Sequence, residues 1–246
     1  MITDSLSYHQ IRVSYDEKIL NRRAEPQSVS ITTPHFFKQY YPHLYEWDWN
    51  KYFAEREHFY RSMPNPLVGK LWYKGPIDFM DACYLRKGMV ACVSEKVRRI
   101  LIELHVNKEE YILHPIVISK EDAPYYVLFV PFLSIEELKI DFDNTVFDFA
   151  PWPDEQLGSF RGKEELYEYL SKNDKPLRTN TLVLNESLTQ RDIINAGFIH
   201  GDIYFSDRIL DAFNEEHVIG YQVLRPGSQG TTPLRFSNKA DVNGGA

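Results

Sequence analysis

The sequence predicts an α+β protein with mainly antiparallel sheet, built from two related strand–helix–strand halves. Two observations carry this. First, two segments align without a gap: VSEKVRRILIELHV (93–106) over FSDRILDAFNEEHV (205–218). Ser94 matches Ser206, Glu95 matches Asp207, Lys96 matches Arg208, Val97 matches Ile209, Glu103 matches Glu215, His105 matches His217 and Val106 matches Val218. In both, a hydrophobic strand ends at a Ser-acid-base triplet, a helix follows, and a new strand begins (EEYILHPIV and VIGYQVLRP). Shared element order on both sides of the match points to a duplicated unit. Second, YILHPIVI and PYYVLFVPF flank the short connection Glu121-Asp122-Ala123, which reads as an antiparallel hairpin or a pair of near-neighbour strands.

The remaining elements follow in order. Tyr8 to Ser14 reads as a strand. Residues 34–62 are crowded with rings, from His35 and Phe36 through Trp47, Trp49 and Tyr52 to Phe59 and Tyr60, and the part after Pro42 reads as a helix. Such a cluster is either core packing or a stacking platform for a sugar or base. MPNPLVGK is turn chemistry, and KLWYK and GMVACV are short strands. In SEKVRRILIEL, Val97, Ile100, Leu101 and Leu104 fall on one helical face behind Ser94 as N-cap. Arg98 and Arg99 point away from that stripe. APWPDEQLGSFRG is loop, GKEELYEYLSK a helix, TNTLVLN a strand, and SLTQRDIINAG a helix closed by Gly197. The expected organisation is an aromatic-rich N-terminal region (1–70) packed on the core, a repeat-bearing α+β domain (71–225) and a flexible tail (226–246).

Composition excludes several classes. There are 28 basic and 35 acidic residues, a net charge of −7. That opposes nucleic-acid binding, which needs cations to replace phosphate counterions. Cys83 and Cys92 cannot build a disulfide framework, so reduced thiols in a cytosolic chain are expected. No apolar stretch approaches a membrane span, and MITDSLSYHQ lacks the apolar core of a secretory signal.

One segment raises the question of catalysis. IDFDNTVFDF (140–149) carries Asp141, Asp143, Thr145 and Val146, which resembles the D-x-D-x-T-V signature of haloacid-dehalogenase-type phosphatases. GDIYFSD adds Gly201, Asp202 and Asp207, which resembles the metal motif of the same enzymes. Their chemistry needs a nucleophilic Asp at the end of a buried parallel strand, a second Asp as acid and base, and Mg²⁺. Here the preceding residues, SIEELKI, are charged and helix-prone. The glycine expected after the second Asp is Asn144, and the motif stands about 140 residues into the chain. Asp207 matches Glu95 in the repeat, the first turn of a helix, so a structural role accounts for it. HGD also resembles the catalytic loop of aminoglycoside-phosphotransferase-type kinases, but the asparagine expected five residues on is Asp207. The eight histidines form no H-x-H or H-x-x-x-H pair.

PIDFMDACYLRKGMVACVSEKVRRILIEL, YILHPIVI, PYYVLFVPFL leading to IDFDNTVFDF, and HGDIYFSDRILDAFNEEHVIGYQVLRP together resemble a bacterial polymorphic-toxin immunity family, the myxobacterial-type immunity proteins once catalogued as a domain of unknown function. The resemblance covers about residues 70 to 225. It implies a non-enzymatic cytoplasmic protein that binds a cognate toxin domain and blocks it, with neither cofactor nor metal and no nucleic-acid or membrane partner. The candidate contacts are Asp141, Asp143, Asp148, Trp152, Asp154 and Glu155, facing a basic toxin cleft, with Trp47 and Trp49 as aromatic anchors. The alternatives are a Mg²⁺-dependent phosphatase using Asp141, Asp143 and Asp202, and a small-ligand or sugar-binding module using the aromatic cluster.

Overall fold

The computed structural model describes residues 7–20, 27–36, 38, 49–73, 75–82, 89–149, 156–172, 177–197, 203–224 and 231–238. In chain order the elements are β1 (Tyr8–Val13), α1 (Glu17–Leu20), β2 (Val29–Ile31), α2 (Trp49–Ser62), β3 (Leu67–Leu71), β4 (Phe79–Met80), β5 (Met89–Ser94), α3 (Glu95–Glu103), β6 (Ile112–Ile118), β7 (Tyr125–Phe129), α4 (Ile135–Leu138), β8 (Val146–Asp148), β9 (Leu157–Gly158), α5 (Lys163–Lys172), β10 (Arg178–Asn185), a 3-10 turn (Glu186–Gln190), β11 (Ile193–Asn195), β12 (Ile203–Ser206), α6 (Asp207–Glu215), β13 (Tyr221–Val223) and β14 (Leu234–Ser237). The fold is α+β with mainly antiparallel sheet; the parallel strand pairs are β3 with β6 and β10 with β14.

The duplicated unit organises the chain. In the first copy, β5, α3 and β6 form a strand–helix–strand step whose two strands are held apart by β7, antiparallel to both. In the second, β12, α6 and β13 repeat the step, and β1 fills the gap in the same way. An outer strand completes each: β4 sets Phe79 opposite Val93, and β11 sets Ile193 opposite Phe205. The two parallel strands of such a step leave an open lane between them, and in each copy an antiparallel strand fills it and bonds to both edges. In the first copy that strand follows in sequence, and in the second it comes from the N-terminus. Within the first 70 residues, β1 is a central strand of the second copy's sheet, and β2 and β3 extend the sheet of the first.

The two helices begin and end alike. α3 buries Val97, Ile100 and Leu101, and α6 buries Ile209, Leu210 and Phe213. After each helix a histidine takes the left-handed conformation, His105 at φ 55° and His217 at φ 51°. The next amide then bonds back across the last turn, Val106 N to Leu101 O (3.1 Å) and Val218 N to Phe213 O (2.8 Å). The stripes of both helices merge with Phe79, Val93, Leu128, Ile11, Ile193 and Phe205 into one core.

The sheet of the first copy runs β2-β3-β6-β7-β5-β4, and its ends meet. Ser28 and Asp81 form a parallel bridge, with Val29 N bonded to Asp81 O and Asp81 N to Gln27 O, both at 2.8 Å. This partial barrel encloses Val29, Leu67, Met80, Cys92, Ile116 and Val127, packed with Phe59, Tyr60 and Met63 of α2 and its end. Gly69 occupies a buried, inward position where a Cβ would strike the side chains of Ile116 and Val29. Strand β3 starts inside MPNPLVGK, expected as turn, because pairing with β6 from Leu67 to Gly69 draws it into the sheet.

A third sheet, β14-β10-β8-β9, packs with α4 and α5 around Phe147, Phe160, Leu166, Leu182 and Leu184. Two expectations are corrected here. SLTQRDIINAG is not one helix: it makes the 3-10 turn and then β11, because Ile193 and Ile194 pair with β12. The tail is not wholly without structure: Leu234–Ser237 forms β14 along β10. Residues 226–230 and 239–246 of that tail lie outside the described residues.

Candidate functional site

The residues conserved between the two copies build the joint between them. Ser94 and Ser206 have the extended backbone of an N-cap, yet neither hydroxyl caps its helix. Ser94 Oγ donates to Asp78 Oδ1 (2.7 Å) and Ser206 Oγ to Asp192 Oδ1 (2.8 Å). The basic member of each triplet joins the same carboxylate: Lys96 Nζ reaches Asp78 Oδ2 at 3.0 Å, and Arg208 pairs with Asp192 through Nε (3.1 Å) and Nη2. The middle strand sets a tyrosine opposite each serine, Tyr125 and Tyr8. Burial pushes both phenols above their ordinary value, Tyr125 to about 12.

Each copy also closes the other's outer strand. Phe79 N donates to Ile219 O (3.0 Å), and Asp78 Oδ2 accepts from Ile219 N (3.2 Å), so the turn after α6 seals β4. The turn is held by Gly220 at φ 105°, where a Cβ would collide with the Phe79 carbonyl. In return Glu110, after α3, seals β11: its Oε2 accepts from Asp192 N (2.8 Å) and Ile193 N (2.9 Å). Burial raises the Glu110 carboxyl above its ordinary value against the pull of these two amides. Asp207 is held at the start of α6 by His9 Nε2 on β1, 2.7 Å away. This pairing gives Asp207 a structural role in the first turn of α6.

The D-x-D segment folds into a turn. Asp141 is 9% exposed, and its Oδ1 accepts from Asp143 N (3.2 Å) and its Oδ2 from Asn144 Nδ2 (2.8 Å). Its carbonyl accepts from Thr145 N. Thr145 is buried, with Oγ1 bonded to both Val183 O (3.2 Å) and Val183 N (3.0 Å) of β10. Asp148 is 7% exposed and receives Gln156 N at 3.1 Å, which turns the chain from β8 toward β9. Asp143 is exposed. The segment before Asp141 is the four-residue helix α4, closed by a Ser134–Glu137 capping box. Glu137 also binds Arg56 of α2 (Nη1 at 3.0 Å); burial raises its carboxyl, but Arg56 and the Ser134 amide outweigh this and hold it below its ordinary value.

Of the expected contacts, Asp141 and Asp148 are thus engaged inside the fold, and Asp143 alone of the three reaches the surface. Trp47, Trp152, Asp154 and Glu155 lie outside the described residues, as does Asp202 of the phosphatase reading. Trp49 opens α2, and its side chain is likewise outside. Among the rings of 34–62 that are described, Phe36, Tyr52, Phe59 and Tyr60 are buried. Tyr52 Oη meets Tyr60 Oη at 3.1 Å and accepts from Phe132 N at 3.1 Å, as core aromatics with polar tips do. Among the described residues no group of three or more His, Cys, Asp or Glu is arranged to hold a metal ion.

A different surface stands out. α3 packs on the β5–β7 side of the outer barrel face and Leu113 of β6 joins its core, while the outer face of β3 and Val117 near the end of β6 stay exposed. There Val68 lies opposite Val117 in register, 40% and 54% exposed, and Trp72, 51% exposed, follows on the same side of β3. The sequence carried a signal for this, the alternation of Leu67, Gly69 and Leu71 with Val68, Lys70 and Trp72, but turn residues preceding it obscured the strand.

Neither protein-family comparison nor comparison with curated proteins finds a match to this chain. Among the described residues no helix is long and apolar enough to cross a membrane.

Proposed function

We propose that this chain is an immunity-type protein, a non-enzymatic cytoplasmic binder that occludes a cognate bacterial toxin domain. The observation that carries the reading is the exposed apolar face of β3 and the end of β6. Large exposed apolar side chains gathered on a rigid sheet are what a protein-binding surface needs, and isolated ones are not. The residues that suggested catalysis give it indirect support. The Asp141 carboxylate is engaged by its own turn, follows a short helix, and leads into β8, antiparallel to β10. A phosphatase nucleophile instead sits at the end of a buried parallel strand with its oxygens open to metal and substrate. An occluding complex of ordinary size buries about 1,600 Å² and reaches nanomolar affinity or tighter.

The test is capture of the tagged, full-length chain from its native bacterium, with partners identified by mass spectrometry. The recovered protein's toxic domain is then expressed with and without this chain. Recovery of a toxin whose lethality the chain suppresses is the expected result. Specific recovery of no toxin, together with Mg²⁺-dependent phosphatase turnover by the purified chain, contradicts it.

A further inference from the structure

The chemistry of the bare sheet face also specifies its occupant, an extension that rests on the immunity reading. Trp72 is not a loose side chain: its indole N–H donates to Ser30 Oγ on β2 at 2.5 Å, which fixes the ring across the sheet. A ring held before binding loses less entropy when a partner arrives. Val68 and Val117 lie farther along the same face, opposite one another on β3 and β6, and Ser30 and Thr32 on the β2 side supply polar neighbours. Lys70 lies between Val68 and Trp72 and is exposed. It is the one charged side chain among Ser30, Thr32, Val68, Lys70, Trp72 and Val117, on a protein whose net charge is −7.

We propose that this face docks a segment of a partner protein that sets apolar side chains against Val68, Trp72 and Val117 and a carboxylate against Lys70. The expectation of a basic toxin cleft facing the acidic stretch is thereby replaced by a partner of opposite character. A Lys or Arg pressed against Lys70 on a desolvated apolar face meets like-charge repulsion, which selects against basic partners. An Asp or Glu there fixes register, while the valines and the indole hold the complex.

A random peptide library displayed on phage and panned on the full-length protein tests this without knowledge of the natural partner. Binders are counter-selected on Val117→Asp. The expected consensus combines aromatic or aliphatic residues with Asp or Glu. Affinity should fall about thirtyfold in Trp72→Ala, the magnitude of a hot-spot residue, and about tenfold in Lys70→Glu, as for a charge reversal at an interface. All three side chains are exposed, so unchanged circular dichroism and thermal midpoint are required of each variant. Peptides that bind the variants as well as the parent, a consensus rich in Lys or Arg, or no enrichment at all would each overturn the docking surface. The immunity reading fails on separate grounds, if no captured toxin is neutralised by the chain even where such peptides are found.

Discussion

The two copies of the strand–helix–strand unit share topology, register and helix-start chemistry, but their sheets meet different surroundings. In the second copy one face of β12 packs on the joint core through Phe205, and the other packs on the third sheet through Tyr204. Both faces of β12 are thereby covered, while Val223 of β13 stays 37% exposed. In the first copy the sheet is extended by β3 and β2 until it closes on β4, and its width outruns the single helix α3. The bare remainder carries Val68, Trp72 and Val117. The comparison teaches that exposure depends on what packs on each sheet: the third sheet buries Tyr204 in the second copy, while Val68, Trp72 and Val117 in the first stay exposed.

The comparison can be broken most severely at the shared core. Leu101 and Phe213 occupy equivalent helix positions, both fully buried. Leu101→Ala should cost about 2–5 kcal/mol and Phe213→Ala about 3–5 kcal/mol, read from denaturant midpoints. A single cooperative transition is expected for each, because the two stripes belong to one core. Two separate transitions would show that the copies fold as independent domains.

A smaller effect addresses the repeated carboxylates. Asp78→Ala and Asp192→Ala each strand a serine and a cation, and each should cost about 2–3 kcal/mol by the scale for hydrogen bonds to charged groups. Double-mutant cycles with Ser94→Ala and Ser206→Ala should give coupling of the same sign in both copies. Coupling in one copy alone would end their equivalence.

The smallest effect sharpens a difference. β4 is sealed by a backbone carbonyl, but β11 is sealed by the Glu110 carboxylate. Burial raises this carboxyl, so the folded state holds its proton more tightly than the unfolded chain does. Its contribution to stability is then fully present below the ordinary glutamate range and is lost as pH rises through the raised value. Glu110→Gln keeps an acceptor without the charge. It should leave the thermal midpoint unchanged in acid and raise it at neutral pH, by less than the aspartate variants lower it. A fall at neutral pH would mean that the charge itself holds β11. Glu137 provides the opposite sign: Arg56 and the Ser134 amide lower it, so its contribution is present at neutral pH and is lost as pH falls through its folded value.

Much of this architecture could be read from residues alone. The gapless match of 93–106 with 205–218 located both helices, and the stripe of Val97, Ile100 and Leu101 set the buried face of α3. The partner of the repeat serine could not be read, because Asp78 and Asp192 stand just before β4 and β11, strands whose pairing is tertiary. Nor could the role of β1: a strand from the opposite end of the chain fills the second copy's gap, and alternation in Tyr8 to Val13 says nothing about its neighbours. Local pattern misled at Ile193 and Ile194, where pairing with β12 overrides helical periodicity. At the candidate site, Asp141 and Asp143 drew attention through spacing, but spacing does not report that one carboxylate is closed by its own turn. Val68, Lys70 and Trp72 were hidden because exposure of a strand face depends on how far the covering helix reaches.

The most direct measurement is protection of cells expressing the captured toxin domain, with the parent chain, Asp143→Asn and Val117→Asp compared at equal abundance. A binder acting through the bare sheet face predicts full protection by Asp143→Asn and loss of protection by Val117→Asp. Loss of protection by Asp143→Asn, with Val117→Asp still protecting, would return the D-x-D segment to the centre of function and contradict this account.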